Sequence, residues 1–398
     1  MQRREFLGAL AAGALRAQSE SRDERFARLL KDLLIVDTHI DTPWYIVDEG
    51  YDIGVEHDYY ETDIPRLKRG HVGAVFFGVP AQPEQHPQEL WVARTLDLID
   101  AVHEAARRYP NDLQVAYTAA DIRRLHAEGK IAALISIEGG HQIQDDLRIL
   151  RDYYRLGVRY MTLTHFRTNN WADSGTDRAV HNGLSRFGRE VVAEMNRLGM
   201  MVDVSHVSDK TFADAIEVSR SPVIASHSSV RAVCDIPRNM SDAMLRALAG
   251  NGGVIFINFS AAYLDSKTNQ AFVANRDRRD REIAGLLIQH TGDPRRWELK
   301  RAVQQRYRSM LPPVDIKVAL RHIDHVAKLI GPDHVGIGSD FDGISGMVPQ
   351  GLEDVSKFPA LARGLIDLGY SDADIRKIMG GNLLWVMQRN EEVATSMR

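Results

Sequence analysis

The chain has 398 residues, of which 44% are hydrophobic and 26% charged, the make-up of a globular protein with a sizeable core. That length allows about two or three compact domains, or one large α/β barrel with insertions. A formal net charge of −4 gives no basic footprint, so no nucleic-acid partner is expected, and the single cysteine, Cys234, excludes a disulfide framework and a thiolate-rich zinc site. Any metal must be held by imidazole and carboxylate, and fifteen histidines are available.

The chain opens Met1-Gln2-Arg3-Arg4-Glu5-Phe6-Leu7, and residues 8–15 are a short run of small and apolar side chains. Paired arginines before such a run resemble a twin-arginine export signal. The run is too short to span a bilayer, and no other stretch reaches that length, so no stable membrane insertion is expected. Residues 1–30 are read as a leader and 31–398 as one domain, which implies an exported, periplasmic protein of a bacterium. If the segment is instead an amphipathic helix, the protein stays in the cytoplasm. Twin-arginine export carries folded proteins, which suits an enzyme loaded with metal before it leaves.

Beyond the leader, short apolar, β-branched runs alternate with segments of helical period. The runs are 33–36, 72–79, 131–137, 160–164, 200–204, 222–225, 253–259 and 334–337. They are almost continuously apolar, as strands buried on both faces are. Helical patterns cover 87–108, 144–156, 185–198, 209–218, 242–249 and 316–329, and two more, 355–368 and 372–386, follow the last strand. Ser208-Asp209, Ser241-Asp242 and Ser371-Asp372 open helices as caps. Eight such units in order predict a (β/α)8 barrel of the TIM type. A doubly wound sheet competes, but the dinucleotide fingerprint it often carries is missing after the first strand. Insertions follow strand one (44–70) and strand seven (261–313); the second holds a helical stretch, 297–310, and the charge run Arg276-Asp277-Arg278-Arg279-Asp280-Arg281-Glu282, read as a solvated helix face.

The ionisable residues gather where these strands end. The ends read Asp37-Thr38-His39-Ile40-Asp41, Glu138-Gly139-Gly140, Thr164-His165, Asp203-Val204-Ser205-His206, Ser226-His227-Ser228-Ser229 and Ser339-Asp340-Phe341-Asp342-Gly343. In a barrel they converge on one mouth. A single histidine at a strand end is commonly structural; four histidines with several carboxylates are not readily explained that way, because buried carboxylates repel one another unless a cation offsets them. Imidazole and carboxylate ligands suit Zn²⁺, with Mn²⁺, Co²⁺ or Fe²⁺ as substitutes. The donors exceed the need of one catalytic zinc, so two ions per chain sharing a carboxylate, with a bridging hydroxide as nucleophile, fit better. No lysine stands at these strand ends to serve as a carboxylated bridge, since Lys130 begins strand three; Glu138 is the best available bridge.

These motifs, with Asp63-Ile64-Pro65-Arg66-Leu67, Gly70, Gly73 and Arg238-Asn239, resemble the membrane (renal) dipeptidase family, peptidase family M19, of the amidohydrolase-like barrels. The resemblance runs from about Leu34 to Val386. It implies a dipeptidase in which His39 and Asp41 bind the first metal, His206 and His227 the second, and Glu138 bridges both. It further implies that His165 stabilises the oxyanion beside the substrate, that Arg238 clamps the terminal carboxylate, and that Asp340 carries the proton from water to leaving amine. A D-configured second residue in the substrate and a homodimer are further implications. The sequence departs from the family at Thr38 and Ile40, where glycine and asparagine are usual, and at Pro237, often serine. The polar tail 391–398 lacks the lipid-anchor signal of the mammalian members.

Two alternatives stand beside that reading: a related binuclear hydrolase acting on N-acyl amino acids, lactones or cyclic amides, and a non-catalytic binding protein on the same barrel. Among the remaining residues, His71 and His334 lie at strand beginnings and are not expected as ligands, while His141, Asp173 and His181 are candidates for the rim. Asp342-Gly343 is read as a turn, Gly381-Asn382 as packing of the last helix, and Cys234 as a small core residue.

Overall fold

A computed structural model describes residues 20–83 and 85–397. Nine strands form one parallel sheet: β1 (Ile35–Ile40), β2 (Val72–Pro80), β3 (Leu113–Val115), β4 (Ile131–Glu138), β5 (Val158–Thr162), β6 (Met201–Asp203), β7 (Ile224–Ser228), β8 (Val254–Ile257) and β9 (Val335–Ile337). Eight of them run in the order β1-β2-β4-β5-β6-β7-β8-β9. The first and last meet at a parallel bridge, Ile40 to Phe341, where Asp41 N donates to Phe341 O at 3.0 Å and Asp340 N to His39 O at 3.0 Å. The result is the (β/α)8 barrel expected, with helices between the strands.

Alternate strand residues divide the apolar surface in two. Val36, Phe76, Leu134, Tyr160, Met201 and Phe256 belong to one buried cluster with Leu383, Val386 and Met387 of the last helix. Val75, Phe77, Ile135, Met161, Val202 and Ile255 belong to a larger one, with apolar residues of the surrounding helices. Burial on both faces is why these strands lack the polar alternation of a half-exposed sheet.

Four features differ from the sequence reading. First, β3 and the Ala119–Ala127 helix were not predicted. β3 is three residues long and pairs only with the lower part of β4, from Leu113↔Ile131 to Val115↔Ala133, before β5 takes over at Ile135↔Val158. Second, the seventh of the nine strands carries Ser226, His227 and Ser228 within it rather than beyond its end. Third, the segment 372–386 is not one helix: Asp372–Arg376 and Asn382–Ser396 are joined by a π turn. At Gly380 in that turn a Cβ would stand 2.5 Å from the Leu34 carbonyl oxygen, so glycine lets the chain close against the start of β1. Fourth, the residues just before the domain start read at residue 31 form a helix that packs on the barrel. Arg22–Leu30 is a helix capped by Ser21 and Glu24, with Leu29 fully buried and Arg25 and Arg28 each 2.7 Å from Asp372. The Arg3-Arg4 pair lies outside the described residues.

Both insertions lie on the side of the strand C-termini, and they are clamped together. Lys300, from the second, lies 3.2 Å from Glu49 and over the rings of Trp44, Tyr45 and Trp297, while Arg301 reaches Glu49 at 3.0 Å. The charge run sits on the Ser266–Gln289 helix, whose only buried residue among those described is Thr268. No helix of the described residues is long and apolar enough to cross a membrane.

Candidate metal centre

The strand ends bring the predicted ligands to one point. His39 lies in β1, Asp41 just after it, Glu138 ends β4, His227 lies in β7, and His206 and Asp340 follow β6 and β9. Glu138 Oε1 stands at the centre, 3.1 Å from His206 Nε2, 3.1 Å from His227 Nε2, 3.5 Å from His165 Nε2 and 3.7 Å from His39 Nε2. His39 Nε2 is 3.5 Å from Asp41 Oδ1. Three overlapping sets of donor atoms, His39–Asp41–Glu138, Glu138–His206–His227 and His39–His227–Asp340, each lie within 4.8 Å. His206 and Asp340 adopt left-handed φ angles of 66° and 63°, uncommon for residues other than glycine, and Ser345 and Asp342 in the same region do likewise. Such backbone strain concentrates at functional sites.

Hydrogen bonds behind two of the imidazoles fix their tautomers. Tyr160 Oη donates to Thr38 O at 2.8 Å, so at 2.6 Å it accepts from His39 Nδ1–H and leaves the lone pair on Nε2. Ser226 Oγ donates to Asp203 Oδ2 at 2.6 Å, so at 2.7 Å it accepts from His227 Nδ1–H with the same result. Asp203 is itself held by the amides of Ser205 and Ser226, at 3.0 and 2.8 Å. Each ring therefore aims a lone pair at the cluster, the arrangement metal-ligating histidines use. The sequence gives Asp203 and Ser226 only as members of strand-end motifs, with no role, and Tyr160 reads there as a core aromatic; only the fold shows its hydroxyl under His39.

The residues fit a cation on their own evidence. His39 Nε2 and Asp41 Oδ1 are buried with no hydrogen-bond partner, as is His206 Nδ1. His206 Nε2 and His227 Nε2 face one another at 2.9 Å, close to the ~3.3 Å that separates two nitrogens bound at ~2.0–2.1 Å to one tetrahedral zinc. Burial, reinforced by Asp41, holds the Glu138 carboxyl well above the usual carboxylate range, and burial pushes Asp340 up to about 7. Burial keeps His165, His206 and His227 well below the usual imidazole range. For His39 burial also acts downward, but Tyr160, Asp41 and Glu138 outweigh it and the net direction is up. Neutral imidazoles around crowded carboxyls are what a divalent cation stabilises, by replacing the protons.

On the substrate side, Arg238 is 5% exposed, donates to Ser228 Oγ at 2.9 Å and to His227 O at 2.8 Å, and lies over the Tyr263 ring at 5.5 Å. Its Nε has no partner. Asp340 Oδ2 accepts from Asn258 Nδ2 at 2.8 Å. His165 is buried against Phe166 and His206, with ring centroids 4.2 and 4.7 Å away. Asn258 and Tyr263 are further positioning residues the sequence did not flag, and Ser228 stood there only as a member of a strand-end motif.

The remaining predicted positions serve the scaffold. Asp173 accepts from the amides of Val180, His181 and Gly183 and shapes its loop, and His181 Nε2 lies 2.9 Å from Asn169 O. His141 Nε2 lies 2.6 Å from Ala81 O. Asp342 bonds Thr42 and the Glu61 amide, as a turn residue does. His334 Nδ1 lies 2.8 Å from Gly253 O, Asn382 donates to Pro332 O and Val335 O, and Cys234 is buried. At the departures from the family pattern, Thr38 Oγ1 spans the barrel to Ser226 O and Ile337 O at 2.5 and 3.0 Å, and Ile40 is fully buried.

A parallel barrel whose strand C-termini converge on a buried imidazole–carboxylate cluster is the framework of a metal-dependent hydrolase. Comparison with known proteins narrows the class. Residues 23–398 match the membrane dipeptidase family, peptidase family M19, and the chain belongs to that family of metal-dependent dipeptidases. It is 37% identical over 391 residues to dipeptidase verJ of Clonostachys rogersoniana, covering 93% of this chain and 88% of the relative. The crystal structure of the probable dipeptidase PvdM from Pseudomonas aeruginosa superposes with a TM-score of 0.80 at 28% identity, over 94% of this chain and 99% of that one. A Rhodobacter sphaeroides metallopeptidase, solved with a phosphinate mimic of L-Ala-D-Ala, superposes at 0.72 with 25% identity, over 90% and 99% of the two chains.

Proposed function

We propose that the protein is a binuclear zinc dipeptidase that cleaves dipeptides bearing a free C-terminal carboxylate, including those with a D-configured second residue. The observation that carries this reading is the buried Arg238 guanidinium, its Nε unpartnered, in the same mouth as the carboxylate-centred cluster. A planar guanidinium recognises a carboxylate, and the position of its anchor sets where the scissile bond lies. The phosphinate mimic of a dipeptide ending in D-Ala, bound by the Rhodobacter relative, supports the tolerance of a D residue.

In this reading His39 and Asp41 would hold one ion and His206 and His227 the other, with Glu138 within reach of both sets. Once bound, such ions would supply an acidified water and an electrophile for the scissile carbonyl. Arg238 fixes the terminal carboxylate. His165, kept neutral by burial, donates a hydrogen bond to the carbonyl oxygen as negative charge develops there. Asp340, held at the mouth by Asn258, would take the proton the attacking water loses and return it to the nitrogen as the C–N bond breaks, so acid and amine leave without an unstable amide anion.

Purified protein given two equivalents of Zn²⁺ is expected to hydrolyse Gly- and Ala-led dipeptides and to lose the activity with a chelator. Failure to cleave any member of a panel with L and D second residues would overturn the reading. Arg238→Ala separates it from a lactonase or cyclic amidase, whose substrates carry no terminal carboxylate for the arginine to hold. We further propose a homodimer, tested by light scattering, and export through the Arg3-Arg4 leader, tested by Arg3→Lys/Arg4→Lys retention in the cytoplasm.

A further inference from the structure

Phe166 is 40% exposed, and among the described residues it is the one large apolar side chain reaching solvent whose ring contacts the metal centre. It stands 4.2 Å from the His165 ring and meets the His206 ring edge-on at 5.0 Å, while both imidazoles are only 4% exposed. We infer that the outward face of Phe166 is a platform for the side chain of the dipeptide's second residue, and that it selects an apolar side chain such as that of leucine. The inference deepens the dipeptidase reading and rests on it.

The placement follows from the geometry of the amide. In a trans amide the carbonyl oxygen and the Cα of the second residue lie on the same side of the C–N bond. With the oxygen turned toward His165 and the terminal carboxylate on Arg238, that Cα lies between the ends of β5 and β7. The strand between them is β6, which His206 follows. The side chain carried there meets the surface that covers His165 and His206, and Phe166 provides it. The first residue lies across the C–N bond, on the Asp340 side, and points away from the ring.

The platform is fixed from behind. Ser174 Oγ donates to His165 O at 2.8 Å, Thr176 Oγ1 to Phe166 O at 3.1 Å and Gly175 N to His206 O at 2.7 Å. One short segment thus pins both strand ends that the ring spans. A surface ordered in advance loses little freedom when a substrate lands on it. Its chemistry is one-sided. The aromatic face gives an apolar side chain burial and contact, whereas a carboxamide of similar size sheds water there and gains no hydrogen bond. Scattered surface hydrophobes need no function, but this one is seated on two groups of the reaction centre. An open platform should reach the lower end of the ~10- to 200-fold discrimination that apolar pockets achieve.

The test is kcat/KM of the zinc-loaded full chain on four dipeptides. They are Gly-Leu, in whichever leucine configuration is cleaved faster, Gly-Asn of the same configuration, Leu-Gly and Gly-Gly. Gly-Leu is expected to exceed the near-isosteric Gly-Asn about tenfold. Phe166→Ala should lower the Gly-Leu to Gly-Gly ratio about fivefold or more, while the Leu-Gly to Gly-Gly ratio stays within about twofold. Phe166→Leu, which keeps an apolar surface, should retain most of the Gly-Leu preference. Equal cleavage of Gly-Leu and Gly-Asn, an unchanged Gly-Leu to Gly-Gly ratio in Phe166→Ala, or a loss confined to Leu-Gly would overturn the platform and leave the dipeptidase reading standing. Cleavage of none of the four would overturn both.

Discussion

The mouth of the barrel and the arm formed by residues 261–313 are both dense in charge, and they put it to opposite use. In the arm, Arg276 pairs with Asp277 at 3.4 Å, both side chains more than half exposed, on a helix where only Thr268 is buried. In the mouth, Glu138, Asp41, His39, His206 and His227 are all at most 4% exposed, and several of their donor atoms have no partner. Water screens the first set and makes it cheap. The second set is costly to bury, and such cost persists only where something outside the chain relieves it.

The comparison can be broken from its expensive end downward. Glu138→Gln should cost at least ~10³-fold in kcat/KM and reduce the zinc retained after desalting, because a neutral amide cannot hold two cations together. Near-normal activity in that variant would remove the carboxylate from the centre. Arg238→Ala should cost about 10²-fold, largely as a rise in KM for dipeptides, as loss of one partner of a buried charge pair does. Tyr160→Phe removes the hydroxyl that orients His39 and should weaken zinc affinity about 10- to 100-fold while the melting temperature of the metal-free protein stays close to wild type. A matching loss of stability would recast Tyr160 as a packing residue.

A buried histidine outside the mouth sharpens the contrast. His322 accepts from Val230 N at 3.1 Å and lies 3.0 Å from Leu264 O, and burial pulls its pKa down to about 4. Its folded-state value lies below the unfolded 6.5, so its contribution is present above that pH and is lost as the pH falls toward 4. The loss amounts to about 3 kcal/mol. His322→Gln should flatten the fall in melting temperature over that window; an unchanged slope would exclude the assignment. Last, Arg276→Ala in the arm should change stability by no more than ~0.5 kcal/mol, measured by denaturant unfolding.

The sequence showed the barrel because strands buried on both faces are apolar runs, and it showed the ligands because carboxylates and imidazoles interrupt those runs at one end. It could not show β3, whose three residues carry no period of their own. Nor could it show the π turn around Gly380, which depends on how near Leu34 comes. Nor could it show where the helix Arg22–Leu30 docks, because an amphipathic pattern says nothing of its partner; Asp372, which its arginines reach, is more than three hundred residues away. The same holds in the site. His39 announces itself by type and place, whereas Tyr160, Asn258 and Ser228 act only through the side chain each happens to touch.

The central proposal is that the buried charge of the mouth holds two metal ions for amide hydrolysis. It is tested most directly by titrating the metal-free chain with Zn²⁺ while following hydrolysis of a Gly-led dipeptide. The account predicts no activity without metal and a plateau at two equivalents per chain. Activity that persists in chelator, or a protein that binds no zinc, would contradict it.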